Sequence, residues 1–442
     1  MTKEINIYGA GLAGSEAAWQ AAKLGVHVKL YEMKPQKKTP AHHTDGFAEL
    51  VCSNSLRSAE ITNGSGLLKE ELHRMGSVIM EAALATRVAA GGALAVDRNL
   101  FSEYVTEKIR SVPNIEVIER EMTEIPEDQI TVIATGPLTS DALAGKIQQM
   151  IGGNSLYFYD AAAPIVDFES IDMTKAFYAT RYAKGSPDYI NCPMTEAEYK
   201  AFYQALITAE EAQLHDFEKG AALKVFEGCM PVEVMAKRGE DTLRFGPMKP
   251  VGIRHPETGE EFYAIVQLRR ENEDCTMFNL VGFQTHLTWG EQKRVFRMIP
   301  GLENAEFLRY GVMHRNTFLN SPDLLDADYS MRQNHNIYFA GQMTGVEGYI
   351  KSAASGFVAG VNAALRSMDK PAYLFPREMM TGAMAHYDSH GDKTTFQPMN
   401  ANFGVIPQLG FKVKGGKKFR NEAMANRALE TADQVAEILK TL

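Results

Sequence analysis

The chain has 442 residues, of which 45% are hydrophobic and 23% charged, and its net charge is −9. At ~100–200 residues per domain this length makes two or three domains, and the balance is that of a globular protein, which excludes a disordered or fibrous chain. The negative charge argues against a surface coated in basic residues for nucleic acid, though not against a local basic patch.

Glu4-Ile5-Asn6-Ile7-Tyr8 reads as a short strand and runs into Gly9-Ala10-Gly11-Leu12-Ala13-Gly14. Ser15 to Lys23 reads as a helix, and Val26 to Glu32 as a second strand ending in an acid. Strand, glycines, helix, strand and acid arrive in the order of a dinucleotide-binding unit. Gly9 allows the tight turn, Gly11 lets a pyrophosphate meet the backbone, and Gly14 lets the helix pack on the sheet. The helix N-terminus offers free N–H groups and a positive dipole end, and Glu32 is placed to accept ribose hydroxyls. Lys34, Lys37 and Lys38 just beyond read as a solvated loop.

Glu49-Leu50-Val51-Cys52-Ser53-Asn54-Ser55-Leu56-Arg57-Ser58 follows the acid by about twenty residues and can fold back over a nucleotide. Ser53, Asn54 and Ser55 are candidate donors to a cofactor, and Arg57 a candidate to favour a Cys52 thiolate. Ile79 to Val96 is the most apolar region, but Glu81 and Arg87 interrupt it and no run of ~18 apolar residues exists. With no signal-peptide pattern at the N-terminus, a soluble cytoplasmic protein is expected. Ile130 to Gly136 reads as a buried strand ending in glycine.

The pattern breaks near Lys184. Thr195 to Leu214 reads as an amphipathic helix with Thr195 and Glu198 as a capping pair. Strand-like pieces follow at Phe262 to Leu268 and Thr276 to Gly282. Residues 184–307 therefore read as an α+β insertion within a nucleotide-binding domain made of 1–183 and 308–442. Gly228 and Pro231 imply a turn presenting Cys229. The four cysteines, with Cys192 and Cys275, form no Cys-x-x-Cys pair, so neither a zinc site nor a disulfide framework is expected. Cys192 and Cys275 read as small buried hydrophobes.

Asn336 to Gln342 is a further strand ending in Gly341, followed by Gly345-Val346-Glu347-Gly348-Tyr349 and a helix over Ile350 to Arg366 that carries small residues. This two-part layout resembles FAD-binding oxidoreductases, in which a late helix points its N-terminus at the flavin. The implied fold class is α/β, a Rossmann-type FAD-binding domain interrupted by the insertion. Near the C-terminus Lys412, Lys414, Lys417, Lys418 and Arg420 make five of nine residues basic. The run is either a phosphate footprint or a solvated loop. An amphipathic helix over Asn421 to Leu442 closes the chain.

Taken together, Ile7 to Ala18, Glu49 to Ser58, Phe226 to Pro231, Leu308 to Asn316 and Phe339 to Tyr349 resemble the bacterial folate- and FAD-dependent tRNA (uracil-5-)-methyltransferases, in order across most of the chain. Some pieces are shared with the larger flavoprotein that installs aminomethyl groups on the tRNA wobble uridine. The resemblance implies 5-methyluridine formation in the tRNA T-loop, with methylenetetrahydrofolate as carbon donor and NADH or NADPH reducing through FAD. It assigns the catalytic cysteines to Cys52 and Cys229. Cys229 is expected to attack uracil C6, with Cys52 assisting at C5 or in handling the one-carbon unit. The cofactor residues it implies are Gly9, Ala10, Gly11, Leu12, Ala13, Gly14, Glu32, Gly136, Gly341, Gly348 and Tyr349. Tyr349 is expected against the flavin or simply packed at the helix start. His286, His314 and Arg315 are candidates for folate or RNA contacts. The target base has to leave its stack. The same chemistry on ribosomal RNA, a small-molecule FAD oxidoreductase and a non-catalytic flavoprotein stay open as alternatives.

Overall fold

The computed structural model describes residues 3–39, 41–152, 155–161, 163–183, 185–212, 230–270, 275–311, 313–391, 393, 396, 400–411 and 413–442, with backbone only for 155–161 and 313–317. Five strands form a parallel sheet in the order Asn334–Phe339, Thr131–Ile133, Glu4–Tyr8, His27–Glu32 and Ile115–Glu119, and Ser330–Met331 adds an antiparallel edge. The strands are apolar because they lie in the core: Ile5, Ile7, Val28, Leu30, Val132 and Ile133 are buried. The first strand is central, so its turn opens at the switch point where doubly wound sheets bind ligands.

Two helices lie together over this turn, Leu12–Lys23 and Tyr349–Ser367. Their approach depends on glycine. A Cβ on Gly356 would sit 2.2 Å from the Ala13 carbonyl oxygen, and one on Gly360 would sit 2.5 Å from Ala17. The small residues of the late helix therefore dock it on the first one. That docking brings Gly341 to Tyr349 beside Gly9 to Gly14, although more than 300 residues separate them in sequence.

A second, antiparallel sheet has the order Phe177–Ala179, Tyr189–Met194, Ala264–Arg270, Met277–Leu280, Ile165–Asp167 and Phe307–Arg309. Its core includes Cys192, Phe202, Phe278 and Phe296. Burial pushes the Cys192 thiol up to about 12, as befits an inert core cysteine. Cys275 is half-buried against the same core. The second sheet begins ahead of residue 184, where the insertion is expected to start. Strands 165–167 and 177–179 already belong to this sheet, and 307–309 closes its edge. These strands are three residues long, too short to show alternation. The ribbon Ser155–Ala161 paired with Met313–Leu319 carries the chain out of the first lobe and back.

Thr195 and Glu198 form the expected capping box, but that helix ends at Ile207 rather than 214. The last helix starts earlier than expected, at Lys417, and ends at Leu439. No described helix is long and apolar enough to cross a membrane.

Candidate active site

The glycine turn lines a cleft of about 1110 Å³, open mouth included, together with Glu32, Gly136, Gly341, Tyr349 and Ser352. Gly9 has φ +93°, and a Cβ on Gly14 would stand 1.7 Å from the Gly9 carbonyl oxygen. Gly14 therefore packs the helix onto the turn from behind. A Cβ on Gly11 would meet nothing within 4 Å, because Gly11 faces the cleft. The helix after it has no side-chain cap and no acid in its first turn, so its first N–H groups stay open to an anion. Glu32 is buried and accepts the Ala10 N–H at 2.8 Å and the Lys34 N–H at 3.0 Å. Its two oxygens retain lone pairs for a hydroxyl. Open glycine, uncapped helix and acid together fit a dinucleotide.

Tyr349 and Gln342 stand between this cleft and a second cavity of about 1190 Å³, which Cys52, Arg57, Arg269, Asn279, Gly348 and Lys351 help to line, and the wall centres on Tyr349. The Tyr349 phenol oxygen accepts the N–H groups of Cys52 at 2.7 Å and Ser53 at 3.0 Å. Burial, with the neighbouring Cys52, pushes that phenol well above the usual tyrosine range. Tyr349 therefore anchors the Cys52 loop. On the other side of the peptide, Arg98 donates to the Leu50 and Cys52 carbonyls, at 2.6 and 3.1 Å. Arg309 donates to Val51 and Cys52, at 3.2 and 3.0 Å. Both lobes thus grip the loop, with two guanidiniums on the Cys52 carbonyl.

The family model described as Glucose inhibited division protein A matches residues 4–371. Over 99% of its length the chain is 58% identical to the methylenetetrahydrofolate--tRNA-(uracil-5-)-methyltransferase TrmFO of Enterococcus faecalis, and it covers 100% of that protein. The chain belongs to the TrmFO family. The relative from Acetivibrio thermocellus is 59% identical over 97% of this chain and 98% of its own. The solved structure of Aquifex aeolicus GidA covers 99% of this chain and 74% of its own at a TM-score of 0.71 and 16% identity, a likeness of fold.

Several expectations for this TrmFO-family chain change with the geometry. Asn54 is not a free cofactor donor: it is fully buried and bonds the carbonyls of Val96 and Arg270, at 3.1 and 2.8 Å. Ser53 accepts from Arg269 at 2.6 Å. Arg57 lines the Cys52 cavity but pairs with Glu347 at 3.0 Å. His286 is engaged within the fold. It is buried with Nδ1 3.2 Å from Glu233 and Nε2 3.4 Å from Glu211, so both ring nitrogens already face carboxylates. Lys34 is buried rather than solvated, with Nζ 2.6 Å from the Gly46 carbonyl and 3.7 Å from Glu49. Lys37 and Lys38 are surface partners of Glu121 and Asp45.

Cys229 and Lys412 lie outside the described residues, as do the side chains of His314 and Arg315. The described chain resumes at Met230, and the Val232 N–H meets the carbonyl of Gln284, a residue lining the Cys52 cavity. Lys414, Lys417, Lys418 and Arg420 are exposed at the start of the last helix. Asn421 bonds the Thr62 carbonyl at 3.2 Å, three residues before Ser65, which lines the same cavity. Sequence reasoning does not single out Arg98, Arg309, Asn279 or Lys351. Only Lys351 carries a local signal: a cation in the first turn of a helix, against the dipole.

Proposed function

We propose that this chain methylates uridine C5 in the T-loop of tRNA, forming 5-methyluridine, with methylenetetrahydrofolate as carbon donor. The observation that supports it most strongly is a dinucleotide cleft and a cysteine-bearing cavity sharing one wall, centred on Tyr349, in a chain this similar to TrmFO proteins. The cleft is the proposed FAD site. Gly11 and the N–H groups after it hold the pyrophosphate, Glu32 accepts ribose hydroxyls, and the N-terminus of the 349–367 helix stabilises negative charge on the ring. Ala10, Leu12, Ala13, Gly136, Gly341 and Gly348 shape the cleft and its far wall. When bound, FAD carries reducing equivalents from NADH or NADPH to the one-carbon unit.

The second cavity receives the target uracil and the folate. Uracil C5 is a poor nucleophile, and addition of the Cys229 thiolate at C6 makes it reactive. C5 then gains the CH2 carbon of methylenetetrahydrofolate and gives up its proton, tetrahydrofolate leaves, a hydride equivalent completes the methyl group, and the C6–S bond breaks to return the Cys229 thiolate. Cys52, fixed between Tyr349, Arg98 and Arg309, acts beside it at C5 or on the one-carbon unit. The basic run of Lys412, Lys414, Lys417, Lys418 and Arg420 is the proposed tRNA footprint. The test incubates purified protein with unmodified tRNA, labelled methylenetetrahydrofolate and NADH or NADPH, with ribosomal RNA in parallel. Label in the T-loop uridine is the expected result. NAD(P)H oxidation without label in either RNA overturns the proposal.

A further inference from the structure

Two buried donors in the Cys52 cavity have no hydrogen-bond partner among the described residues, Lys351 Nζ and Asn279 Nδ2. They come from opposite lobes, Lys351 from the 349–367 helix and Asn279 from strand 277–280. Lys351 is 4% exposed and Asn279 3%. Burial draws the Lys351 ammonium down to about 8, while Asp388 and Glu347 act on it through space without bonding it. A helix N-terminus disfavours a cation, and a buried donor without an acceptor is costly. Native proteins keep few such groups, and those kept at a site call for a ligand that completes them.

We propose that Lys351 and Asn279 together read the lactam edge of the target uracil, Lys351 donating to the C4 oxygen and the Asn279 amide pairing with N3–H and a neighbouring carbonyl. This rests on the function proposed above. An ammonium is a donor only, so it donates to the uracil carbonyl and rejects cytosine, which presents an amino group at the same place. An amide offers both a donor and an acceptor, which suits the adjacent C=O and N–H of the lactam. The same contact has a catalytic consequence. When a thiolate adds at C6, the electron pair of the C5–C6 double bond moves through C4 onto its oxygen. A cation already aimed there stabilises the enolate without reorganising. The folate pterin ring also carries a lactam, so the experiment separates the two sources.

The test uses the FAD-loaded enzyme and tRNA carrying tritium at C5 of the T-loop uridine, with folate absent. Thiolate addition at C6 lets C5 take a solvent proton. Tritium then leaves to water as the C6–S bond breaks and the thiolate departs. Lys351→Met is expected to slow tritium release roughly 10²–10³-fold. Asn279→Ala is expected to slow it about tenfold, and Lys351→Arg to restore part of the Lys351→Met loss. The flavin spectrum and folate binding stay unchanged in all three. Release at the wild-type rate in both Lys351→Met and Asn279→Ala overturns the assignment. If weakened folate binding accompanies that rate, the edge being read is the pterin's. A wild-type enzyme that neither releases tritium nor methylates RNA overturns the proposed function instead, whatever the variants do.

Discussion

The two cavities on either side of Tyr349 are built from different materials. The dinucleotide cleft is a backbone site: glycines, an uncapped helix start and a carboxylate bonded to two N–H groups, most of it within thirty residues. The Cys52 cavity is a side-chain site, drawing Arg57, Arg269, Asn279 and Lys351 from segments spread over more than 290 residues. A backbone site is fixed by the fold, and its changes are read in packing or cofactor affinity. A side-chain site holds groups whose preferred partner is a ligand, and its changes are read in turnover.

The largest expected effect separates the two directly. Cys52→Ala and Cys229→Ala should each lower label transfer by ~10⁴-fold or more while the protein stays yellow. A variant that keeps its activity removes that cysteine from the mechanism. Within the cleft, Gly11→Val and Gly14→Val should part company. The Gly11 side chain enters open space, so the fold survives and FAD binding weakens by about 2–3 kcal/mol. The Gly14 side chain collides with the Gly9 carbonyl, so thermal stability falls as well. Equal melting temperatures for the two would break the distinction between cradle and packing glycine.

The third prediction concerns stability in the side-chain site. The buried ammonium of Lys351 has a pKa of about 8, below the 10.5 of an ordinary lysine. Below pH 8 both folded and unfolded states carry the charge and its burial penalty is present in full. Between pH 8 and 10.5 the folded state sheds its proton first and the penalty fades. Lys351→Met should therefore stabilise the protein by about 3 kcal/mol at neutral pH, a gain that shrinks as pH rises through that window. A destabilised variant would mean that Lys351 supports the fold rather than a ligand. The smallest effect lies outside both cavities. Neutralising Lys412, Lys414, Lys417, Lys418 and Arg420 should weaken tRNA binding about tenfold and lower its salt slope by about 0.7–0.9 for each phosphate no longer neutralised. FAD binding should not change, and unaltered tRNA affinity would make the run a solvated loop.

The same contrast explains what can be read from the sequence. The cleft is legible because Gly9, Gly11, Gly14 and Glu32 sit at fixed local offsets whose reasons are steric and electrostatic. The approach of the late helix is half-legible: its small residues are plain, but their fit to Ala13 and Ala17 depends on tertiary docking. The Cys52 cavity is legible in part: Cys52, Ser53, Ser55 and Arg57 fall in a segment that reads locally as a loop over the nucleotide, but its far wall does not show in the sequence. Nothing near Arg309 says that its guanidinium reaches the Cys52 carbonyl, and nothing near His286 says that two glutamates already claim its ring. The start of the second sheet at 165–167 is not legible because three-residue strands show no period.

The measurement that bears most directly on this account is a structure of the FAD-loaded enzyme trapped on a T-loop RNA carrying 5-fluorouridine. The account predicts FAD in the glycine-lined cleft and the flipped pyrimidine across Tyr349, bonded through C6 to Cys229, its C4 oxygen facing Lys351. A pyrimidine bound elsewhere, with the cavity between Cys52 and Lys351 holding only water, would contradict it.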